Sequence, residues 1–517
     1  MPRQQKSSEP AFARVSTRSR KGCSSLAESA SNRRTFVAAL ASLTAGVSIS
    51  GGKAVAAAPK VVLTEDPSHD LFRVRLAVSA KGNVDVPVNP LVSRDSQSKL
   101  PITSDAVLDY EERYRWPEGA DPASEPVMGV ERYYHEAASE SVLNKTEQVF
   151  ELRPSMRNTL VRRDTLPETI YQADDYFNHE ELGLLRTPVS SVELNALLPL
   201  KAVAPGDTYQ PANEAIGSML NLSSVDGGST TVTVESIDDD AAKLTFKGKA
   251  DGSIDGVATL VRFVGKMTFD RKQNACTWLA LGVHETREVG KAEPGFDLSA
   301  TIRMIRQPIA EPVELPRRAV SMDLSKPIDE SRLMVQIRSD RLHLQALVDR
   351  RWHLLADNPG SAMLRMIEQE SSWGQCNLKP LVQLPAGKKW TIRQLEAEVR
   401  QSLKGQLTRF VRSDRSVSPQ GVENLQLIAA GKAEGVEVRW IVQHLSDASG
   451  RRVLATFTTD ARSFDKVAGS EVQFAGTMEF TPIPTQVESS SEKRDSKKEA
   501  DVATRKNAVV GSSSDRR

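Results

Sequence analysis

Apolar and polar residues alternate along much of residues 57–308, and this period of two constrains the fold more than any other feature of the chain. Phe72, Val74, Leu76 and Val78 alternate with Arg73, Arg75 and Ala77. Successive side chains of a strand point to opposite faces, so such a run suits a sheet with one dry and one wet side. Leu108, Tyr110, Tyr114 and Trp116 repeat the pattern, with Glu112 interrupting the apolar face. Further runs occupy residues 148–152, 231–237, 243–249, 257–269, 276–289 and 296–305. Asp238-Asp239-Asp240, Asp251-Gly252, residues 270–274 and Pro294-Gly295 supply turn chemistry between the later runs. Consecutive strands joined by short polar turns form an antiparallel meander. Two short helices interrupt it, one over residues 174–185 and one whose first turn Pro211 occupies and that carries Ile216, Met219 and Leu220.

A curved antiparallel sheet with helices on its concave face is therefore expected for residues 57–308, a half-barrel-like domain. In outline it resembles the bacterial lipoprotein-carrier half-barrels, a likeness of fold alone. Between sheet and helices the pattern allows either a side-chain-filled core or an apolar cavity for an acyl chain. Residues 309–331 carry Pro312, Pro316 and Pro327 among charged residues, which reads as a stiff, solvated linker.

Residues 332–482 change style. Strands are expected at 333–337, 342–348, 362–367 and 373–381, followed by a helix over 392–407. Thr391 and Gln394 form a capping box, and Trp390 and Leu395 a hydrophobic staple. Ile392, Leu395, Val399, Leu403 and Leu407 line one helical face. A meander over 425–430, 436–445 and 452–459 follows, then a short helix with Phe464 and Val467, and 472–480 close the unit. This order makes an α+β sandwich. Trp352 in Arg351-Trp352-His353-Leu354, the stretch Gln375-Cys376-Asn377-Leu378, the helix piece Leu395-Glu396-Ala397-Glu398-Val399, and residues 431–440 and 447–457 carry a resemblance to the PsbP-like family and the Ran-binding Mog family. That resemblance implies action by binding other proteins and transfers no functional residue. Residues 483–517 are rich in Ser, Lys, Glu and Asp, a composition expected to stay disordered.

Ahead of the β-rich region, residues 1–56 read as an export signal. A basic stretch precedes a mildly apolar run over 35–50, and Ala54 and Ala56 give the small-x-small cleavage pattern. Arg33, Arg34 and Phe36 resemble the Arg-Arg-x-Phe core of the bacterial twin-arginine motif, with Asn32 in place of the leading Ser/Thr and Val37-Ala38 in place of Leu-Lys. The resemblance implies delivery of a folded chain to the periplasm or cell envelope. An uncleaved anchor is the other reading of this run, which is short of the roughly 20 apolar residues a span needs.

The chain has 517 residues and a formal net charge of +1, spread without a basic stripe, so nucleic acid is not an expected partner. Cys276 and Cys376 lie far apart and read as small buried apolar residues. Asp251-Gly252-Ser253-Ile254-Asp255-Gly256 begins like a calcium loop, but Arg262 stands where the bidentate Glu belongs. His284-Glu285-Thr286-Arg287-Glu288 lacks the second His of a zinc-protease motif. Asp174, Asp175, His179, Glu180 and Glu181 cluster acceptors in a spacing that matches no defined metal site. Ser218 follows Gly217 without the rest of a nucleophile elbow. The expectation is accordingly no catalytic, cofactor or metal residue. It is a non-catalytic binding or scaffold protein of the envelope, with a protein partner, no nucleic acid and no membrane span once the signal is removed. A carrier or sensor of an apolar, lipid-like ligand and an unrecognised hydrolase are the alternatives.

Overall fold

The computed structural model describes residues 59–85, 99–165, 167–290, 294–317, 320, 322–369, 371–385 and 387–483. The export-signal residues Arg33, Arg34, Phe36, Ala54 and Ala56 lie outside the described residues, as does the charged tail from 484 onward.

Twelve strands form one antiparallel sheet in the first part of the chain. They are β1 (Leu71–Asp85), β2 (Lys99–Arg115), β3 (Gly129–Leu143), β4 (Thr146–Glu151), β5 (Asn158–Arg162), β6 (Thr169–Tyr171), β7 (Thr208–Tyr209), β8 (Ser224–Ile237), β9 (Ala241–Ile254), β10 (Val257–Asp270), β11 (Ala275–Arg287) and β12 (Gly295–Pro308). The order is β6-β5-β3-β2-β1-β12-β11-β10-β9-β8-β7, with β4 added to β3. The first and last strands thus pair at the centre, from Phe72 with Pro308 to Asp85 with Gly295. Alternation sets the register everywhere, because a slip of one residue would turn the whole apolar set outward. Phe72, Val74, Leu76, Leu108, Phe246, Phe263, Met267, Leu279, Leu281, Ile302 and Met304 are all buried on one face.

That inner face is covered by helix α1 (His179–Leu185), a 3-10 segment (Ser191–Leu197) and helix α2 (Asn213–Met219). Leu182, Leu185, Leu194, Leu197, Ile216 and Met219 join the same buried cluster as the sheet side chains. Helix α1 starts later than residue 174, because Asn178 and Glu181 form its capping box and leave Asp174 and Asp175 in the preceding loop. Likewise Pro211 precedes the helix cap, Ala212, instead of occupying the first turn. Asp251-Gly252 is not a turn: both residues lie within β9, and the reversal falls at Asp255-Gly256, each with positive φ as a tight hairpin requires.

The connector is not the solvated segment its prolines suggest. Leu315 is buried, and the Glu111 carboxylate on the sheet's outer face accepts from the backbone N–H groups of Val313, Glu314 and Leu315. Arg113 donates to the Pro316 carbonyl, and Arg162 to those of Asp323 and Lys326. The outward carboxylate and guanidinium groups of β2 and β5 thus fasten the connector to the sheet.

The second part holds two antiparallel sheets. The smaller orders β13 (Met334–Ser339), β14 (Leu344–Asp349) and β22 (Glu479–Phe480). The larger orders β15 (Trp352–Asn358), β16 (Ser361–Glu368), β17 (Ser371–Leu381), β21 (Arg452–Asp460), β20 (Val436–Ser446), β19 (Glu423–Ala433) and β18 (Leu407–Val417). Helix α3 (Ile392–Leu403) packs Leu395 and Val399 against Leu425, Leu427 and Trp440. It stops short of residue 407, because Lys404 takes positive φ and Leu407 already begins β18. Helices α4 (Phe464–Val467) and α5 (Ser470–Thr477) follow β21. One buried cluster runs unbroken from Phe72 and Phe177 to Val335, Trp352 and Phe474, so the two parts share apolar contacts.

The cap of α3 forms as its sequence requires. Thr391 accepts from the Gln394 N–H at 3.3 Å, and the Gln394 side chain accepts from the Thr391 N–H at 2.9 Å. Trp390 packs on the cluster that contains Leu395. Thr391→Ala is expected to cost about 0.5–2 kcal/mol, read as a lowered urea midpoint, because the Gln394 N–H loses its side-chain acceptor. An unchanged midpoint would show that the cap contributes nothing.

Candidate functional site

Charged side chains are rare in cores unless paired, and the inner face holds an unusual number. Alternation brings Tyr110, Glu112 and Tyr114 of β2 inward, and the ladder sets Arg132 of β3 directly opposite Glu112. The Glu112 carboxylate accepts from Arg132 Nε at 3.4 Å, Ser191 Oγ at 2.8 Å and the Tyr114 hydroxyl at 3.2 Å. Arg132 also lies 3.8 Å from Glu168 and stacks over the Tyr110 ring. Glu168 accepts from Arg163 Nε at 3.1 Å and Ser190 Oγ at 2.8 Å. Arg163 pairs in turn with Glu193, which accepts from Ser218 Oγ at 2.9 Å. A second buried guanidinium, Arg306, donates to Glu65 at 2.5 and 3.1 Å and to the Tyr114 hydroxyl at 2.7 Å, while lying over the Phe72 ring.

This network encloses a cavity of about 20 Å3 lined by Tyr110, Arg132, Glu168, Ser190 and Ser218. A cavity of ~10–15 Å3 already admits one water, so the space suits a bridging water and nothing larger. Beside it a cleft of about 350 Å3 reaches Arg163, Thr165, Glu193 and Glu214. Ser218 and Glu168 line both spaces. A Ser beside a Glu is a general-base geometry in principle. Here Glu193 is already engaged, paired with Arg163 and accepting from Ser218 Oγ. Burial, and next the Glu112 charge, push the Tyr110 phenol well above the ordinary tyrosine range, so it remains a neutral donor. The charges are consumed by one another, and they tie the 3-10 segment and α2 to the sheet.

A wider concavity lies elsewhere, on the outer face across β8–β12. A trough of about 640 Å3 is lined by Ser229, Thr231, Lys247, Lys249, Arg262, Val264, Gly282, His284 and Ser299, among others. Two cross-strand rows build it. One runs Ser229, Lys249, Arg262, His284, Ser299, and the next Thr231, Lys247, Val264, Gly282, Thr301.

The residues singled out in the sequence scatter. Asp251 pairs with Lys249 at 3.2 Å at the trough's edge, and Asp255 and Gly256 form the neighbouring hairpin. His284 sits on a strand with Ser299 at 3.3 Å and Asp297 at 3.6 Å. Glu181 accepts from Arg153 and caps α1, whereas His179 stacks on His353 at 4.4 Å with Nε2 at 2.9 Å from the Trp352 carbonyl. Cys276 and Cys376 are free and buried, and burial raises both thiols well above their ordinary range. Among the described residues no group of three or more His, Cys, Asp or Glu is placed to hold a metal ion. No described helix is long and apolar enough to cross a membrane. The ionic network and the trough escaped the sequence reading. Glu112 on an apolar face signalled the first, and Gly282 within a strand signalled the second.

No protein-family model matches the chain, and no curated protein does. Among solved structures, cyanobacterial PsbP (CyanoP) from Synechocystis sp. PCC 6803 is similar at 13% identity over 28% of this chain and 92% of that one, with a TM-score of 0.23. A lipovitellin structure is similar at 8% identity over 49% of this chain and 26% of that one, with a TM-score of 0.27. A Pseudomonas aeruginosa protein of unknown function is similar at 13% identity over 29% of this chain and 99% of that one, with a TM-score of 0.18.

Proposed function

We propose that this chain is an exported protein of the bacterial envelope that acts by binding, without catalysis. In this reading a half-barrel-like β domain is followed by an α+β sandwich of PsbP type, and the leader ends after Ala56. The observation that carries it is a contrast. The buried ionisable groups neutralise one another around a space for one water and along the cleft beside it, whereas the wider trough is open, cation-lined and on the outer face. Catalysis calls for a base or nucleophile left free beside a space for substrate. The inner groups are spoken for, and the trough's histidine–hydroxyl pair, His284 with Ser299 on one ring nitrogen and Asp297 on the other, sits at exposed strand positions open to water.

Two measurements test this. Cells expressing the full chain should hold a shortened form in the periplasm. Arg33→Lys with Arg34→Lys should leave the full-length form in the cytosol; equal distribution of both would refute export. The purified chain should hydrolyse ester, phosphate-ester and peptide substrates no faster than buffer. A rate that disappears in Ser218→Ala or in Ser299→Ala would overturn the non-catalytic reading.

A further inference from the structure

We propose that the trough across β8–β12 is a binding site for the phosphate headgroup and adjoining chain of an anionic phospholipid; this rests on the binding reading above and names its ligand. Lys249 and Arg262 face each other directly across the β9–β10 ladder, with His284 next in the row. Like charges directly opposed on a sheet are destabilising, so the pairing has a standing cost that a bound anion removes. Lys247 projects from the next row, about 6.6 Å further along the strand. Among the described residues no carboxylate lies within ion-pair distance of Lys247 or Arg262. The nearby carboxylates, Asp251 on Lys249 and Asp297 beside His284, sit at the edges of the site.

The middle of the trough is small and apolar. Gly282 faces outward between Val264 and Thr301, and a Cβ added there would meet only the Val264 carbonyl oxygen at 3.8 Å. No backbone demand therefore explains this glycine, and a glycine within a strand often marks the close approach of a ligand. Val264 is 44% exposed beside it, an apolar shelf next to the cations. At about 640 Å3 the trough falls within the ~300–1,000 Å3 of small-molecule sites, larger than a lone phosphate needs. It offers a row of cations, flanking hydroxyls of Ser229, Thr231 and Ser299, and an apolar floor. Those features match an acidic headgroup, its polar backbone and the start of a chain. Neither end of the chain outside the described residues fits instead. Residues 484–517 carry eight Lys and Arg against six Asp and Glu, and residues 1–58 are also basic.

The test titrates the full chain calorimetrically with dihexanoyl phosphatidylglycerol below its micelle concentration, with dihexanoyl phosphatidylcholine and with glycerol phosphate. The phosphatidylglycerol should bind at least about tenfold more tightly than either of the others. Gly282→Phe, which fills the trough, and Lys247→Gln with Arg262→Gln, which removes the two cations that no described carboxylate pairs with, should each weaken that binding by at least about tenfold. Both variants should melt near the parent, since all three positions face solvent. No phosphatidylglycerol binding, or equal binding in the variants, would overturn the site. Equal binding of phosphatidylcholine would overturn the role of charge, and equal binding of glycerol phosphate the role of the chain. Any of these failures leaves the non-catalytic reading standing, because a turnover rate decides that one.

Discussion

Arg132→Met is expected to destabilise the folded chain by about 3–5 kcal/mol, the loss that follows when one partner of a buried ion pair is removed. Methionine fills much of the volume but leaves Glu112 fully buried with only the Ser191 and Tyr114 hydroxyls as donors. Glu168 loses one of its two guanidinium neighbours at the same time. The damage should therefore exceed that of deleting one hydrogen bond, about 1 kcal/mol. Urea denaturation followed by tryptophan fluorescence reads it as a lower midpoint. The double variant Arg132→Met with Glu112→Leu should recover a large part of the loss, since replacing a buried pair by apolar residues is often close to neutral. A single variant as stable as the parent would show that the network contributes little to the fold. A double variant worse than the single one would show that Glu112 is held chiefly by its hydroxyl donors.

Acid is expected to loosen the chain before its carboxylates protonate, through histidines held neutral by packing. Burial, and next the stacked His353, lower His179 from 6.5 to about 4. Burial, and next Arg452, lower His444 from 6.5 to about 4. Glu180 and Arg186 also face His179, and Glu423 faces His444, without reversing either direction. The sign follows from proton uptake. Above pH 6.5 both folded and unfolded imidazoles are neutral, and the full stability is present. Between pH 6.5 and 4 the unfolded chain gains protons that the folded chain refuses, so stability falls as pH falls. Below about 4 the folded imidazoles protonate as well, and the histidine contribution levels off. The His179 part is about 2–3 kcal/mol over that window, and His444 acts in the same direction. Denaturation midpoints at pH 7 and pH 5 should differ clearly in the parent and less in His179→Gln and His444→Gln. Identical pH slopes in parent and variants would sink this account.

His179 and His353 come from opposite parts of the chain, and their stack shows what sequence reading could not reach. Arg153 likewise bridges the parts, donating to Glu181 and to Gln336, while Arg350 donates to the Ile170 carbonyl. None of these contacts has a local signature, because each joins residues far apart in the chain. Local signals were legible where a neighbour within a few residues decides the outcome. The Thr391–Gln394 box formed as spelled out, and so did the alternation of β1 and β10. Local reading erred where the deciding contact was distant. Asp251-Gly252 carries turn residues yet runs on as strand, because β8 and β10 pair on both sides of it. Strands β3, β5, β15 and the largely exposed β18 were not anticipated, and Leu407, the first residue of β18, was read as the end of the helix.

By itself the sequence determined that the chain would be β-rich and antiparallel, because a period of two admits no other dry face. It placed one well-capped helix, because capping is settled within four residues. Only the tertiary structure decided which charges end up inside, because Glu112 and Arg132 are buried by virtue of facing each other across a ladder. It alone laid the proline-rich connector on the outer face, where Glu111 gathers three backbone N–H groups. And it alone gathered Lys247, Lys249, Arg262 and Gly282 into one trough, since strand pairing, not chain order, makes neighbours of residues on three different strands.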